Sequence, residues 1–161
     1  MSWIYFILVW LHLLAAAFYV GGMLFLSLVA VPLLKTAPDS AETQLGFLSM
    51  ARRFRTFAWG AIFVLLVTGT ILLRGHVSFG ESPVDWPGPV LAKLLMVAIL
   101  LGTSLIHEFF LGPKVTTIKQ KPPSSRSPAE HSLVKISPWL SRFVLVLGLA
   151  IFLIAVVLSR Y

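Results

Sequence analysis

From Trp3 to Leu34 the chain carries no acidic residue and no Lys or Arg. That run is longer than the ~20 residues needed to cross a ~30 Å hydrocarbon layer. Three further apolar runs follow. Phe57 to Leu73 is closed by Arg74-Gly75, and Val90 to Leu111 begins after Trp86-Pro87-Gly88-Pro89 and stops at Gly112-Pro113. Trp139 to Leu158 follows Pro138 and ends at Ser159-Arg160-Tyr161. Proline at a helix start and Gly-Pro at its end fit the asymmetry of helix termini. The pattern predicts an all-α fold, an integral membrane four-helix bundle forming one domain over 1–161, with spans at about 3–34, 56–74, 89–112 and 138–159. The first run exceeds what a crossing needs, so the helix tilts or its Trp3, Tyr5 and Trp10 sit in the interface as an aromatic anchor. It is too long for the ~7–15-residue core of a signal peptide and lacks a basic leader, so it reads as a retained span.

The connections differ in kind. Asp39 with Glu42 three residues on reads as a capping box, and Leu45, Phe47, Leu48, Met50 and Phe54 then interleave with Arg52, Arg53 and Arg55. This predicts a short interfacial helix running into the second span. The segment 113–137 holds Lys114, Lys119, Lys121, Arg126 and Lys135 with Pro122-Pro123-Ser124-Ser125 and Pro128, a composition that predicts a polar, basic loop.

Four crossings place both termini on one side. Lys35, Arg52, Arg53, Arg55, Lys114, Lys119, Lys121, Arg126, Lys135 and Arg142 then share one face, and Arg74, Lys93 and Arg160 the other. Basic residues concentrate in cytoplasmic loops. The bias therefore predicts 36–56 and 113–137 inside, with both termini and the 74–89 loop on the outer (periplasmic) side of the cell inner (plasma) membrane.

Composition agrees and narrows the chemistry. Apolar residues make up 58% and charged residues 12%, with a mean hydropathy of +0.92, which excludes an ordinary soluble domain. The net charge of +7 follows from the loop bias and does not argue for nucleic acid. No cysteine is present, so disulfides, zinc ribbons, iron–sulfur ligation and thiolate copper sites are excluded. A metal would have to use His, Met, Lys or carboxylate ligands. The four methionines form no MxxM or MxxxM pair, which argues against a methionine-lined copper path.

Ionisable groups inside spans are costly and mark functional candidates. His12 lies about two turns into the first span and Lys93 one turn into the third. Counting ~1.5 Å per residue from the outer ends places both near the outer polar boundary, where they can meet. The plainer readings are a histidine bonded to a neighbouring helix and a lysine whose ammonium snorkels to the headgroups. His76, beyond the second span, is on the same side and reads either as an exposed loop residue or as a ligand that swings in. Lys93, Met96 or Val97, Leu100, Ser104 and His107 form one stripe of the third helix, whose ends lie ~21 Å apart. His12 and His107 therefore cannot share one haem. His107 and Glu108, level with Arg142, define a second candidate polar site at the inner end. Its structural reading is an ion pair with Arg142 or with the Arg52–Arg55 cluster. Ala15-Ala16-Ala17, Gly21-Gly22, Gly60 and Gly69 read as close helix packing.

The stretch Trp10-Leu11-His12, continuing through Tyr19 to Gly21-Gly22, resembles the opening helix of the copper-resistance D (CopD) family of integral membrane proteins. Leu91-Ala92-Lys93-Leu94-Leu95 resembles that family's third span. The same skeleton is similar to the HemJ-type protoporphyrinogen oxidases, four-helix membrane proteins in which a first-helix histidine and a third-helix lysine are functional and haem b is bound. His12 and Lys93 match those positions, and Arg52-Arg53 echoes that family's basic motif. The fourth helix opens Arg142-Phe143-Val144 where the HemJ pattern has Arg-Phe-Asn, so a CopD-like protein accounts for the whole chain better than the oxidase does. The resemblance implies a b-type haem near the outer face bound through His12, with Lys93 and His76 as further cofactor-binding candidates and a redox or electron-transfer role. Such a protein would use a redox partner or quinone besides the lipid bilayer. The alternative is copper ion binding or transport through His12, His76 and Met1 or Met23. A second alternative is an accessory membrane subunit without a site of its own. Homo-oligomerisation is open under all three readings.

Overall fold

In a bilayer every backbone N–H and C=O has to be satisfied within the protein, which leaves helices as the solution for a chain with this pattern. The computed structural model describes residues 3–37, 40–75, 86–119 and 121–158, and among these there is no strand. Four helical stretches are long and apolar enough to cross a membrane: Trp3–Thr36, Glu42–Leu73, Gly88–Ile118 and Pro128–Val156. The chain divides into two compact units, Met1–Pro87 and Gly88–Tyr161.

In the first unit, α1 (Trp3–Phe25) passes through a π-helical turn (Leu26–Ala30) into α2 (Val31–Thr36), and α3 (Ala41–Leu73) packs against α1. The π turn has a local cause. Pro32 has no N–H to donate, and its ring would crowd the carbonyl one turn back. The ladder widens just before it, with the Val31 N–H reaching the Leu26 carbonyl. The packing face of α1 carries Ala15 and Tyr19, and that of α3 carries Ala58, Ala61, Ile62 and Thr68, all buried. Small residues on both faces allow close backbone approach. Gly22 takes this furthest, because a Cβ there would overlap the Phe54 ring. Phe18 meets the same ring with centroids 6.1 Å apart. α3 is one unbroken helix of 33 residues, so the expected interfacial helix and the second span are continuous. Its cap is Ser40, whose hydroxyl accepts from the Thr43 N–H at 3.1 Å. The expected Asp39 lies outside the described residues.

In the second unit, α4 (Gly88–Ile106) leads through a second π turn (His107–Leu111) into α5 (Gly112–Lys119), and α6 (Pro128–Leu158) packs on α4 and α5. Pro113 stands to this π turn as Pro32 stands to the first, two residues past its end. The expected basic loop is corrected here, since most of 113–137 is helical. α5 buries Val115 and Ile118 one turn apart. The connecting turn is tied by the Arg126 guanidinium, which donates from Nε and Nη2 to the Lys121 carbonyl at 3.1 and 2.8 Å. α6 begins ten residues before the expected start of the fourth span, because Ser127 and Glu130 form a reciprocal capping box. Glu130 Oε2 accepts from the Ser127 N–H at 2.8 Å, and Ser127 Oγ accepts from the Glu130 N–H at 3.3 Å. Pro128 occupies the first helical position, where a missing N–H costs nothing. Lys121 Nζ closes the arrangement on Glu130 Oε1.

Large apolar side chains face outward in both units, among them Leu28, Phe63 and Leu153, each about two thirds exposed at 68%, 68% and 67%. A water-soluble protein does not expose so many, and the lipid phase is what covers them. Removing the cap tests the α6 assignment. Ser127→Ala should cost ~1 kcal/mol locally, read by hydrogen exchange as a roughly fivefold faster exchange of the amides at 128–131 with no change in α1 or α3.

Candidate functional site: a tautomer-fixed histidine

The first unit places His12 against α3, half-buried, with Nδ1 2.8 Å from Thr68 Oγ1. Thr68 is buried, with 4% of its surface exposed. Its hydroxyl lies 2.6 Å from the Val64 carbonyl one turn back, and a carbonyl can only accept. The single hydroxyl hydrogen therefore goes to Val64, and the oxygen accepts from His12 Nδ1–H. The neutral imidazole is thereby held as the tautomer whose lone pair is on Nε2. Gly69 completes the cradle, since a Cβ there would stand 3.2 Å from His12 Cε1. A neutral imidazole oriented by a hydrogen bond through its other nitrogen is the arrangement seen in metal-ligating histidines, where the outer partner sets ring orientation and basicity. The same nitrogen can accept a proton.

In the second unit, His107 opens the π turn after α4 and is half-buried, with Nε2 3.4 Å from both Ser137 Oγ and Ser141 Oγ of α6. The two serines are four residues apart, on one helix face, and flank Pro138, the proline inside α6. Ser104 Oγ, one turn before His107, is buried and has no hydrogen-bond partner among the described residues. Glu108 follows in the π turn. Arg142 sits over the Trp139 ring at 5.1 Å from its centroid, a cation–π contact on the exposed side of α6.

Lys93 is half-buried on α4. It belongs to the second unit and His12 to the first. His76 and Met1 lie outside the described residues. Among the described residues no group of three or more His, Asp or Glu stands ready to hold a metal ion. Met23 is eleven residues after His12, about three turns or ~16 Å along the axis, too far to share one ion with it. Sequence reasoning missed Thr68, Ser137 and Ser141. The i, i+4 spacing of the two serines beside Pro138 is a readable signal, whereas Thr68 differs from Thr70 only by the face it occupies.

The helical architecture and its lipid-facing surface define a multi-span membrane protein. Residues 48–158 match the family described as Copper resistance protein D, more than half of the chain, and the protein belongs to that family. A protein of Aquifex aeolicus (strain VF5), described as uncharacterized, is 35% identical over 108 residues, covering 65% of this chain and 68% of its own. No solved structure matches. The matched stretch takes in Lys93, His107 and His76 and leaves out His12. The family's description favours the copper reading over the haem reading, for which the comparisons offer no support.

The tautomer argument is checked by Thr68→Val, which keeps the side chain's shape and removes the acceptor. Leaving the His12 N–H unpaired should destabilise the first unit by ~1–3 kcal/mol, seen as a lower Tm in detergent. Nitrogen NMR of histidine-labelled wild-type protein should report the Nδ1–H tautomer for His12, and Thr68→Val should release it.

Proposed function

We propose that the protein handles copper ions at the membrane, with His12 Nε2 as the ligand nitrogen on α1. The observation that carries this reading is the hydrogen-bonded chain from His12 Nδ1 through Thr68 to the Val64 carbonyl. It holds a neutral imidazole, a donor type that suits copper, in an orientation a metal can use, and it sits in a member of a copper-resistance family. One imidazole does not complete a copper centre. His76, eight residues after Thr68 in the sequence, supplies the second nitrogen in this proposal, with Met1 as a thioether candidate. Copper is cargo in this reading, so an incomplete, exchangeable ligand set is suitable for handing the ion on.

The proposed topology follows the basic-residue bias. The termini and His76 face the outer side of the plasma membrane, and 36–56 and 113–137 face the cytoplasm. The second polar site, with His107, Glu108 and Arg142, then lies at the inner end and stabilises the second unit.

The purified protein, titrated with Cu(I) against a chromophoric chelator, should bind copper. His12→Ala should lower the affinity at least tenfold, and Thr68→Val by roughly ten- to a hundredfold, the usual cost of losing an outer-shell partner. His107→Ala should leave it unchanged. Wild-type affinity in His12→Ala would remove the copper role of this residue. A Soret band lost in that variant would restore the haem reading. An introduced Ser124→Cys should resist a membrane-impermeant thiol reagent applied to intact cells and react after permeabilisation; labelling in intact cells would invert the topology.

A further inference from the structure

The first unit contains a groove of about 540 Å³ between the end of α1 and the N-terminal half of α3. Its walls are Gly22, Phe25, Leu26, Met50 and Phe54, with Arg53 as the charged lining residue. The Ser49 hydroxyl also reaches the groove, but its hydrogen is given to the Gly46 carbonyl at 2.8 Å. Arg53 is thus the cationic donor of this wall.

The groove's level along α3 is set by the sequence. The apolar run of that helix starts at Phe57, so Arg53 stands four residues, or ~6 Å, before it. Arg53 therefore sits at headgroup depth, whichever leaflet that is. Arg52 and Arg55 flank it, all three exposed, and there is no acidic residue from Gln44 to Gly80. Loop bias alone accounts for basic residues near the membrane surface, but not for an arginine lining a hollow whose other walls are phenyl rings, a leucine and a methionine. The missing side chain at Gly22, where a Cβ would overlap the Phe54 ring, lets that ring lie back against α1 and leaves the hollow open. An apolar trough with a guanidinium at headgroup level matches one chemistry, an anionic amphiphile. The guanidinium pairs with a phosphodiester in a bidentate fashion, and the trough takes an acyl chain.

We propose that this groove is a binding site for an anionic phospholipid, with the phosphodiester on Arg53 and one acyl chain lying along Phe25, Leu26 and Met50. The site is independent of the copper reading, since His12 and Thr68 are not among its walls.

The test uses the full chain in detergent, with native mass spectrometry following stepwise addition of dioleoylphosphatidylglycerol or dioleoylphosphatidylcholine. The anionic phosphatidylglycerol should bind more tightly than the zwitterionic phosphatidylcholine. Arg53→Gln should reduce that preference about fivefold, the equivalent of ~1 kcal/mol for one basic side chain at an anionic surface. Arg53→Lys should keep most of it and serves as the folding control, and Lys114→Gln, an equal change in net charge in the second unit, should leave it intact. Met50→Ser should lower the affinity for both lipids by removing apolar lining from the trough. Equal binding of the two lipids by the wild type, an equal loss in Lys114→Gln and Arg53→Gln, or displacement by millimolar inorganic phosphate would each overturn the proposal.

Discussion

The constraint on which this structure depends is that a spanning segment must satisfy its own backbone hydrogen bonds, because hydrocarbon offers none. It forces helix on every apolar run, and it also dictates how the chain treats its prolines. Pro32 and Pro113 each follow a π-helical turn, in which the ladder shifts from i−4 to i−5 rather than breaking. Pro138 stands inside α6 between two serines, one of which donates back to the other's carbonyl, Ser141 Oγ to Ser137 O at 3.3 Å. In each case the helix continues past the proline.

The same constraint explains why the polar side chains within the spans occur as bonded sets. Thr68 hands its hydrogen to Val64 and takes one from His12. His107 lies between Ser137 and Ser141. Each set joins two helices of one unit, so the groups that give a unit its chemistry also fix the pairing of its helices. The difference between the sets is instructive. His12 is held by one short bond that fixes its tautomer, which suits a ligand. His107 has two longer contacts at 3.4 Å, one to the Ser137 hydroxyl and one to the Ser141 hydroxyl, whose hydrogen goes to the Ser137 carbonyl, which suits a clasp.

The spans were legible because lipid selects on length and hydropathy alone, and the continuity of α3 was legible from apolar residues interleaved with Arg52, Arg53 and Arg55. The segment 113–137 was misread as loop because its lysines and prolines outweighed a short signal, Ser127-Pro128-Ala129-Glu130, that marks a helix start. His12 stood out because an imidazole in a span is rare. Its partner did not, since a threonine in an apolar run can always bond the carbonyl one turn back, and Thr70 does so at 2.7 Å on an exposed face. Which threonine meets the histidine depends on how α1 and α3 pack, and periodicity carries that only weakly when both faces of a lipid-exposed helix are apolar.

The π turn at His107–Leu111 has an effect on phase. A π turn inserts about one residue, so everything after it is rotated by ~100° relative to an uninterrupted α-helix. Val115 and Ile118, on the far side of the turn, are buried in the second unit at 6% and 7% exposure. Had the helix run on regularly from α4, the same two side chains would have pointed about a quarter-turn away from where they now lie. The extra residue thus works as a phase shifter. It lets one continuous rod present one azimuth to its neighbour before the turn and a different azimuth after it, where α5 is followed by eight residues leading to the polar beginning of α6.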